Sequence, residues 1–314
     1  MNTGKTNSFT RRAVSALALT ALWAGSGRVS ASEGEEAFSE VRRDVAYSAA
    51  SERTALDLYY PIEATAAPKA THIYIHGGGW VNGSKSLGNG FSRKVFEGLS
   101  EAGFLGVSVG YRLVDEDKGL FIKDCATDCF DALRYLKLHH EELGIDLDRV
   151  YIWGSSAGAH LALLGANAPN ATFPGLLASD IPSMDAVIAV YPPTDMPAYE
   201  DISVLKNGKL RDLSQRIGAS SEEDPVVYSV ISPLAHLTQD DPPALLIHGT
   251  NDLTVNIEHS YRYLAKSRSL EVPCELVEVP GGGHGGKLFA EGRRPSQDEV
   301  VSRMLRFLIA HAED

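Results

Sequence analysis

Short apolar runs alternate with longer amphipathic ones along most of the chain, a pattern that predicts a mostly parallel sheet covered by helices on both faces, an α/β fold. Phe104–Val109, Asp185–Val190 and Ala244–His248 are nearly continuous apolar runs of the kind buried on both sides. Thr71–His76, Val150–Trp153 and Glu275–Val279 read as further strands. In Leu56–Tyr60 the apolar Leu56, Leu58 and Tyr60 alternate with Asp57 and Tyr59, which predicts a strand with one face in water, paired with an earlier strand at Asp44–Ser48. Helical spacing marks Phe91–Ala102, Phe121–His140, Ala157–Leu164, Ile257–Ser267 and Ser296–Ala312. In the second of these, Ile122, Cys125, Cys129, Leu133 and Leu136 recur at intervals of three and four.

The alternation fails in two places. Between Thr194 and His236 the chain carries Asp, Glu, Pro and Ser around one helical piece at Ile202–Ile217. An insertion of that length is too long for a plain loop and predicts a lid or a substrate-shaping cap. At the start, Lys5, Arg11 and Arg12 precede the apolar run Ala13–Gly25, and Val29-Ser30-Ala31 offers a small-x-small cleavage pattern. The run is shorter than the ~20 residues that span a bilayer, so residues 1–31 read as a secretory signal cleaved after Ala31. Thr10-Arg11-Arg12-Ala13-Val14 resembles a twin-arginine signal, which would mean export of the folded protein to the periplasm or beyond. A retained N-terminal helix is the alternative, and its lipoprotein form is disfavoured because no Cys lies near the cleavage site. Residues 32–314 then form one α/β domain with the insertion inside it, a size that buries a full core.

Charge narrows the partners. The 314 residues carry a formal −12; residues 1–31 hold four of the 29 basic groups and none of the 41 acidic ones, so the remainder stands at −16. An acidic surface argues against nucleic acid or anionic membranes as main partners, and no segment of the mature chain reads as a membrane span. Three Cys, at 125, 129 and 274, make no disulfide framework, and Cys125 and Cys129 on one helix face read as buried free thiols.

The candidate chemistry sits where strands end. Gly154-Ser155-Ser156-Ala157-Gly158 fits G-x-S-x-G between a strand and a helix. Such a turn forces Ser156 into strained backbone angles with its hydroxyl standing clear, and it needs small residues on either side because strand and helix nearly touch. His76-Gly77-Gly78-Gly79-Trp80 follows a strand and offers backbone N–H groups without side chains in the way, as a developing oxyanion requires. The helix starting at Ala157 adds its own first N–H. Neither phosphate-loop pattern, G-x-G-x-x-G nor G-x-x-x-x-G-K-[ST], is present.

A serine needs a base oriented by a third group. Asp252, in HGTND after a buried strand, and His284, flanked by five glycines after the last strand, stand in the chain order Ser, Asp, His of this fold. Trp80, Ser155 and Tyr191 are candidate substrate contacts by their positions beside these motifs. His160 reads as a packing residue, and His76 and His248 as braces of their loops. Asp195 and Glu200 read as solvated charges of the cap. No His, Cys, Asp and Glu spacing fits a metal site, and no cofactor is implied.

Leu56-Asp57-Leu58-Tyr59, HGGGW at 76–80, Tyr111-Arg112-Leu113, GSSAGAHLA at 154–162, HGTND at 248–252 and GGGHG at 281–285 together resemble the bacterial esterase/lipase branch of the α/β-hydrolases, including hormone-sensitive-lipase-like and carboxylesterase members. The resemblance covers most of the chain after residue 31. It implies an oxyanion loop at Gly77 and Gly78, a triad of Ser156, Asp252 and His284, and hydrolysis of carboxylic esters. Members with the HGGGW form are similar to feruloyl and acetylxylan esterases, which implies polysaccharide-linked or small-molecule esters as substrates. HGGGW-x-x-GSK and SAGAHL also resemble arylformamidase, from which the chain departs at Gly79 and in its apparent signal. A prolyl-oligopeptidase-type peptidase would carry a large domain ahead of the Thr71 strand, and a non-catalytic scaffold would have lost one of the three side chains.

Overall fold

The computed structural model describes residues 35–63, 68–167, 177–199 and 213–313. Residues 1–31, read from sequence as a signal, and the Ile202–Ile217 piece up to residue 212 lie outside the described residues.

Eight strands form one sheet: β1 (Phe38–Ala46), β2 (Ala55–Pro61), β3 (Ala70–Ile75), β4 (Phe104–Val109), β5 (Val150–Ser155), β6 (Ala186–Val190), β7 (Ala244–Gly249) and β8 (Cys274–Val279). Their order is β1-β2-β4-β3-β5-β6-β7-β8. β1 and β2 run antiparallel to their neighbours, and all pairings from β4 to β8 are parallel. Among the described residues the five longer helices are α1 (Phe91–Glu101), α2 (Ile122–Leu138), α3 (Ala157–Asn167), α4 (Glu258–Ser269) and α5 (Gln297–Glu313). α2 buries Ile122, Cys125, Cys129, Leu133 and Leu136, the stripe its sequence spacing requires. Its start is closed by the Asp124 carboxylate accepting from the Phe121 N–H at 2.9 Å. Cys125 and Cys129 are buried free thiols.

β3, β4, β6 and β7 are buried along their whole length because helices cover both faces of the sheet. One core layer holds Ile73, Ile75, Leu133 and Ile152, and the other Phe96, Trp153, Ile188 and Met304. A parallel sheet so enclosed opens to solvent only at strand ends, which is where loops carrying chemistry gather.

The first strand is Phe38–Ala46 rather than Asp44–Ser48. As an edge strand it keeps a polar sequence, FSEVRRDVA, so the apolar alternation that would have marked it is missing. A register irregularity between Arg42 and Val45 accommodates Asp44 at φ 55°. The wet face expected of β2 is also absent, since Asp57 and Tyr59 are each 1% exposed. Phe96 of α1 packs edge-on against Tyr59 at 5.1 Å. Asp57 accepts from Lys85 Nζ at 2.5 Å, Arg43 Nη1 at 3.2 Å and the Asp44 N–H at 3.0 Å. The aspartate that breaks the apolar run is an internal charge already matched by two cations.

Candidate active site

Ser156 stands in the turn between β5 and α3 at φ 53°, a left-handed conformation unusual for a residue with a side chain. Its N–H donates to the Val190 carbonyl at 2.8 Å, which holds the turn against β6. The flanking glycines are required by space: a Cβ on Gly158 would lie 2.0 Å from the Ile75 carbonyl oxygen, and one on Gly154 2.4 Å from the Gly158 backbone. Strand and helix therefore touch, as the motif predicts.

β7 ends at Gly249, and the turn that follows places Asp252 beneath the site, 3% exposed. Its Oδ1 accepts from the N–H groups of Thr254 and Val255 at 2.8 and 3.0 Å. His284, after β8, donates from Nδ1 to Asp252 Oδ2 at 2.6 Å, which leaves Nε2 to accept from the Ser156 hydroxyl at 2.8 Å. Burial opposes ionisation of Asp252, but the hydrogen bond and charge of His284 and the two backbone N–H groups outweigh it and hold the carboxyl below its ordinary value. Three residues separated by up to 128 positions thus form one continuous hydrogen-bonded line. Such a line can move a proton off the serine hydroxyl.

The glycine loop closes the other side. Gly78 takes φ 121°, and any Cβ there would lie 2.1 Å from the Asn82 carbonyl oxygen, so only glycine fits. The Gly77 and Gly78 N–H groups have no backbone acceptor among the described residues, and the Ala157 N–H opens α3, where a helix has none to offer. His76 donates from Nδ1 to the Gly77 carbonyl at 2.8 Å and stacks on Tyr111 at 4.2 Å. Tyr111 donates to the His76 carbonyl at 2.8 Å. Arg112 is gripped by Asp128 of α2 at 2.7 Å, so the Tyr111-Arg112-Leu113 segment braces this loop from behind.

The remaining sequence candidates sort cleanly. Tyr191, at φ 43°, lays its ring 4.5 Å from the His284 ring, and burial pushes its phenol up. Ser155 lies at the cavity wall together with Tyr74 and Tyr191. Trp80 also borders the cavity, but its ring is 2% exposed and its Nε1–H donates to His160 Nδ1 at 3.2 Å. His160 in turn donates from Nε2 to the Ile231 carbonyl at 2.6 Å, a bracing role. His248 donates from Nε2 to the Val255 carbonyl at 2.9 Å and accepts from Ser260 at 2.7 Å, bracing the loop that carries Asp252. Asp195 pairs with Arg262 at 2.9 Å, and Glu200 lies outside the described residues. No three His, Cys, Asp or Glu among the described residues converge as metal ligands would. No described helix is long and apolar enough to cross a membrane.

A cavity of about 870 Å³ opens over Ser156 and His284. Its outer wall includes Tyr199, Leu213 and Arg216 from the 194–236 insertion. Arg216, in the short helix Leu213–Ile217, donates from Nη1 to the Gly79 carbonyl at 2.9 Å. Nothing in the sequence marks Arg216, because the insertion has no motif and the contact is 137 residues away.

Esterase LipC of Mycobacterium tuberculosis is 29% identical over 257 residues, covering 80% of this chain and 61% of that protein. The probable carboxylic ester hydrolase LipM of the same organism is 26% identical over 268 residues, covering 83% and 60%. The chain thus spans about three fifths of the length of these curated relatives. A truncated carbohydrate esterase from gut microbiota superposes with a TM-score of 0.75 at 25% identity, over 89% of this chain and 99% of that one. Thermogutta terrifontis esterase 2, phosphoramylated by tabun, superposes with a TM-score of 0.67 at 25% identity, over 86% and 94%. The BD-FAE family model matches residues 56–266. With two thirds of its length inside that match and its sheet shared with those esterases, the chain belongs to the BD-FAE family and has the α/β-hydrolase fold.

Proposed function

We propose that the protein hydrolyses carboxylic esters through an acyl-enzyme on Ser156. The reading rests on one observation above all: the Ser156 hydroxyl, His284 and Asp252 stand in line at 2.8 and 2.6 Å. His284 takes the hydroxyl proton as the Ser156 oxygen attacks the ester carbonyl, and Asp252 stabilises the imidazolium that forms. The oxyanion is received by the N–H groups of Gly77, Gly78 and Ala157. His284 then gives its proton to the departing alcohol. Water, activated by the same imidazole, releases the acid and restores the hydroxyl. The insertion shapes the cavity as a cap, and residues 1–31 direct export.

The named esterases among the relatives support the reaction class, and the carbohydrate esterase favours esters attached to sugars as the substrate class. The test is hydrolysis of short-chain p-nitrophenyl esters by the wild type and by Ser156→Ala, with a fluorophosphonate label read by mass spectrometry. Loss of turnover by at least about 10³-fold and of the label is expected. Near-normal turnover in folded Ser156→Ala would remove the assignment. Acetylated and feruloylated xylan, with N-formylkynurenine as the amide comparison, then rank the substrates.

A further inference from the structure

We propose that a second cleft, on the far side of His284, binds the alcohol half of the substrate and selects alcohols that carry a carboxylate. The proposal rests on the ester-hydrolase reading and deepens it. The cleft has a volume of about 440 Å³ and is lined by Asn251, Leu253, Thr254, His284, Lys287 and Arg293 among others. It meets the main cavity at Thr254 and His284, which border both. The glycines of the 77–79 loop line the main cavity and not this one.

Chemistry decides which half of the ester faces it. The imidazole that protonates the leaving oxygen must lie within hydrogen-bond reach of it, so the alcohol departs past His284. A cleft that begins at His284 therefore meets the alcohol.

Charge decides what that alcohol carries. The chain has a net −12, yet no carboxylate lines this cleft among the described residues, and two cations do. Neighbouring Arg294 is tied to Glu299 at 2.8 Å, whereas Lys287 and Arg293 form no ion pair among the described residues. Both cations are built into the loop that presents His284. Lys287 lies on the turn Gly285–Lys287, its N–H donating to the His284 carbonyl at 3.3 Å. Arg293 lies against Gly281, at φ 68°, where an added Cβ would come within 2.2 Å of the guanidinium. The missing side chain is what lets the guanidinium settle there, with Nη1 donating to the Pro280 carbonyl at 3.4 Å. A guanidinium beside an ammonium matches a carboxylate well. Leu253, 43% exposed at the same cleft, offers apolar contact to a ring.

The experiment compares kcat/KM for 4-acetoxybenzoate and 4-acetoxybenzamide, which differ in whether the leaving phenol is charged. Each rate is divided by that of hydroxide hydrolysis, and the ratio of the two cancels any loss of folded enzyme. The wild type is expected to favour the acid roughly tenfold at low salt. The preference should shrink in 0.5 M NaCl and vanish or invert in Lys287→Glu/Arg293→Glu. Phenyl hemisuccinate carries its carboxylate on the acyl half, and the double variant should not single it out. A wild-type ratio near one, a ratio the variant leaves in place, or an equal effect on the hemisuccinate would overturn the proposal. Binding of 4-hydroxybenzoate against 4-hydroxybenzamide to Ser156→Ala, by calorimetry, reads the cleft without turnover. Equal affinities would overturn the cleft whatever the activity. Failure of the ester-hydrolase reading looks different: both esters untouched by the wild type, or both turned over by Ser156→Ala.

Discussion

Asp57 and Asp252 are both almost wholly withdrawn from water, and they are handled in opposite ways. Asp57 in β2 is met by Lys85 and Arg43, so its charge is neutralised where it sits. Asp252 receives two backbone N–H groups and one imidazole, and no Lys or Arg among the described residues pairs with it. A buried charge must be compensated, but the partner decides what the charge can do afterwards. Permanent cations leave Asp57 nothing further to stabilise. A titratable ring leaves Asp252 with field to spare at the moment that ring becomes charged. The first arrangement holds structure together; the second can drive chemistry.

The sharpest way to break the comparison is to remove each carboxylate's charge in turn. Asp252→Asn is expected to lower kcat by about 10⁴-fold, because an amide no longer stabilises the imidazolium and favours the wrong tautomer. Its urea midpoint should stay close to the wild type. Steady-state turnover of a p-nitrophenyl ester alongside equilibrium unfolding checks both. Loss of less than tenfold would place the charge that matters elsewhere.

Acid should reach the fold through a different set of buried groups. Burial pulls His72 and His259 down to about 3, and His76, His160 and His248 down to about 4. Each folded value lies below the ordinary ~6.5, so below that pH the unfolded chain binds more protons and stability falls as pH falls. The loss runs from about pH 6.5 down through the folded values. At pH 5 each ring costs on the order of 1 kcal/mol or more, several together, against a usual total of 5–15. Asp241, pushed up to about 6 by burial, acts in the opposite sense, but one carboxyl does not offset five rings. Asp252, held low by His284, adds its share only below about pH 4. Urea midpoints should be flat above pH 7 and well reduced at pH 5; a flat profile across that range would mean these rings are not neutral in the fold.

Asp57→Asn completes the pair. It should cost about 2–3 kcal/mol, since Lys85 and Arg43 lose their buried carboxylate and keep only Asp44 and Glu35, with kcat within about twofold of wild type. A large fall in activity at unchanged stability would erase the distinction between the two aspartates.

Much of this was legible in the sequence, and for identifiable reasons. Ser156, His284 and Asp252 are announced by glycines, because tight turns at strand ends tolerate little else. The apolar runs of β4, β6 and β7 announce burial on both faces. Asp57 was misread because period-two alternation reports side-chain direction and not what lies beyond it; Lys85 and Arg43 cover that face from elsewhere in the chain. β1 was misplaced because an edge strand owes its pairing to backbone groups and needs no apolar face. The cavity's outer wall was illegible because Arg216 reaches Gly79 from a stretch without periodicity.

That last contact supports the smallest of the expected effects. The loop bearing Gly77 and Gly78 is held from behind by His76 and Tyr111, and through Trp80 by His160. These are short contacts in the core. Its outer side is held by Arg216, which reaches in from the insertion to the Gly79 carbonyl, two residues from Gly77. Asp252 is fixed by two backbone N–H groups and His284, whereas Gly79 is steadied by a single side chain of the insertion, and the two should respond very differently to loss of one partner. Arg216→Ala is expected to lower kcat roughly fivefold, the equivalent of about 1 kcal/mol, with KM for a small acetyl ester little changed. Arg216→Lys should recover part of the loss, since an ammonium still donates to the carbonyl. A fall confined to KM would instead make Arg216 a contact for substrate, and would detach the insertion from the loop bearing Gly77 and Gly78.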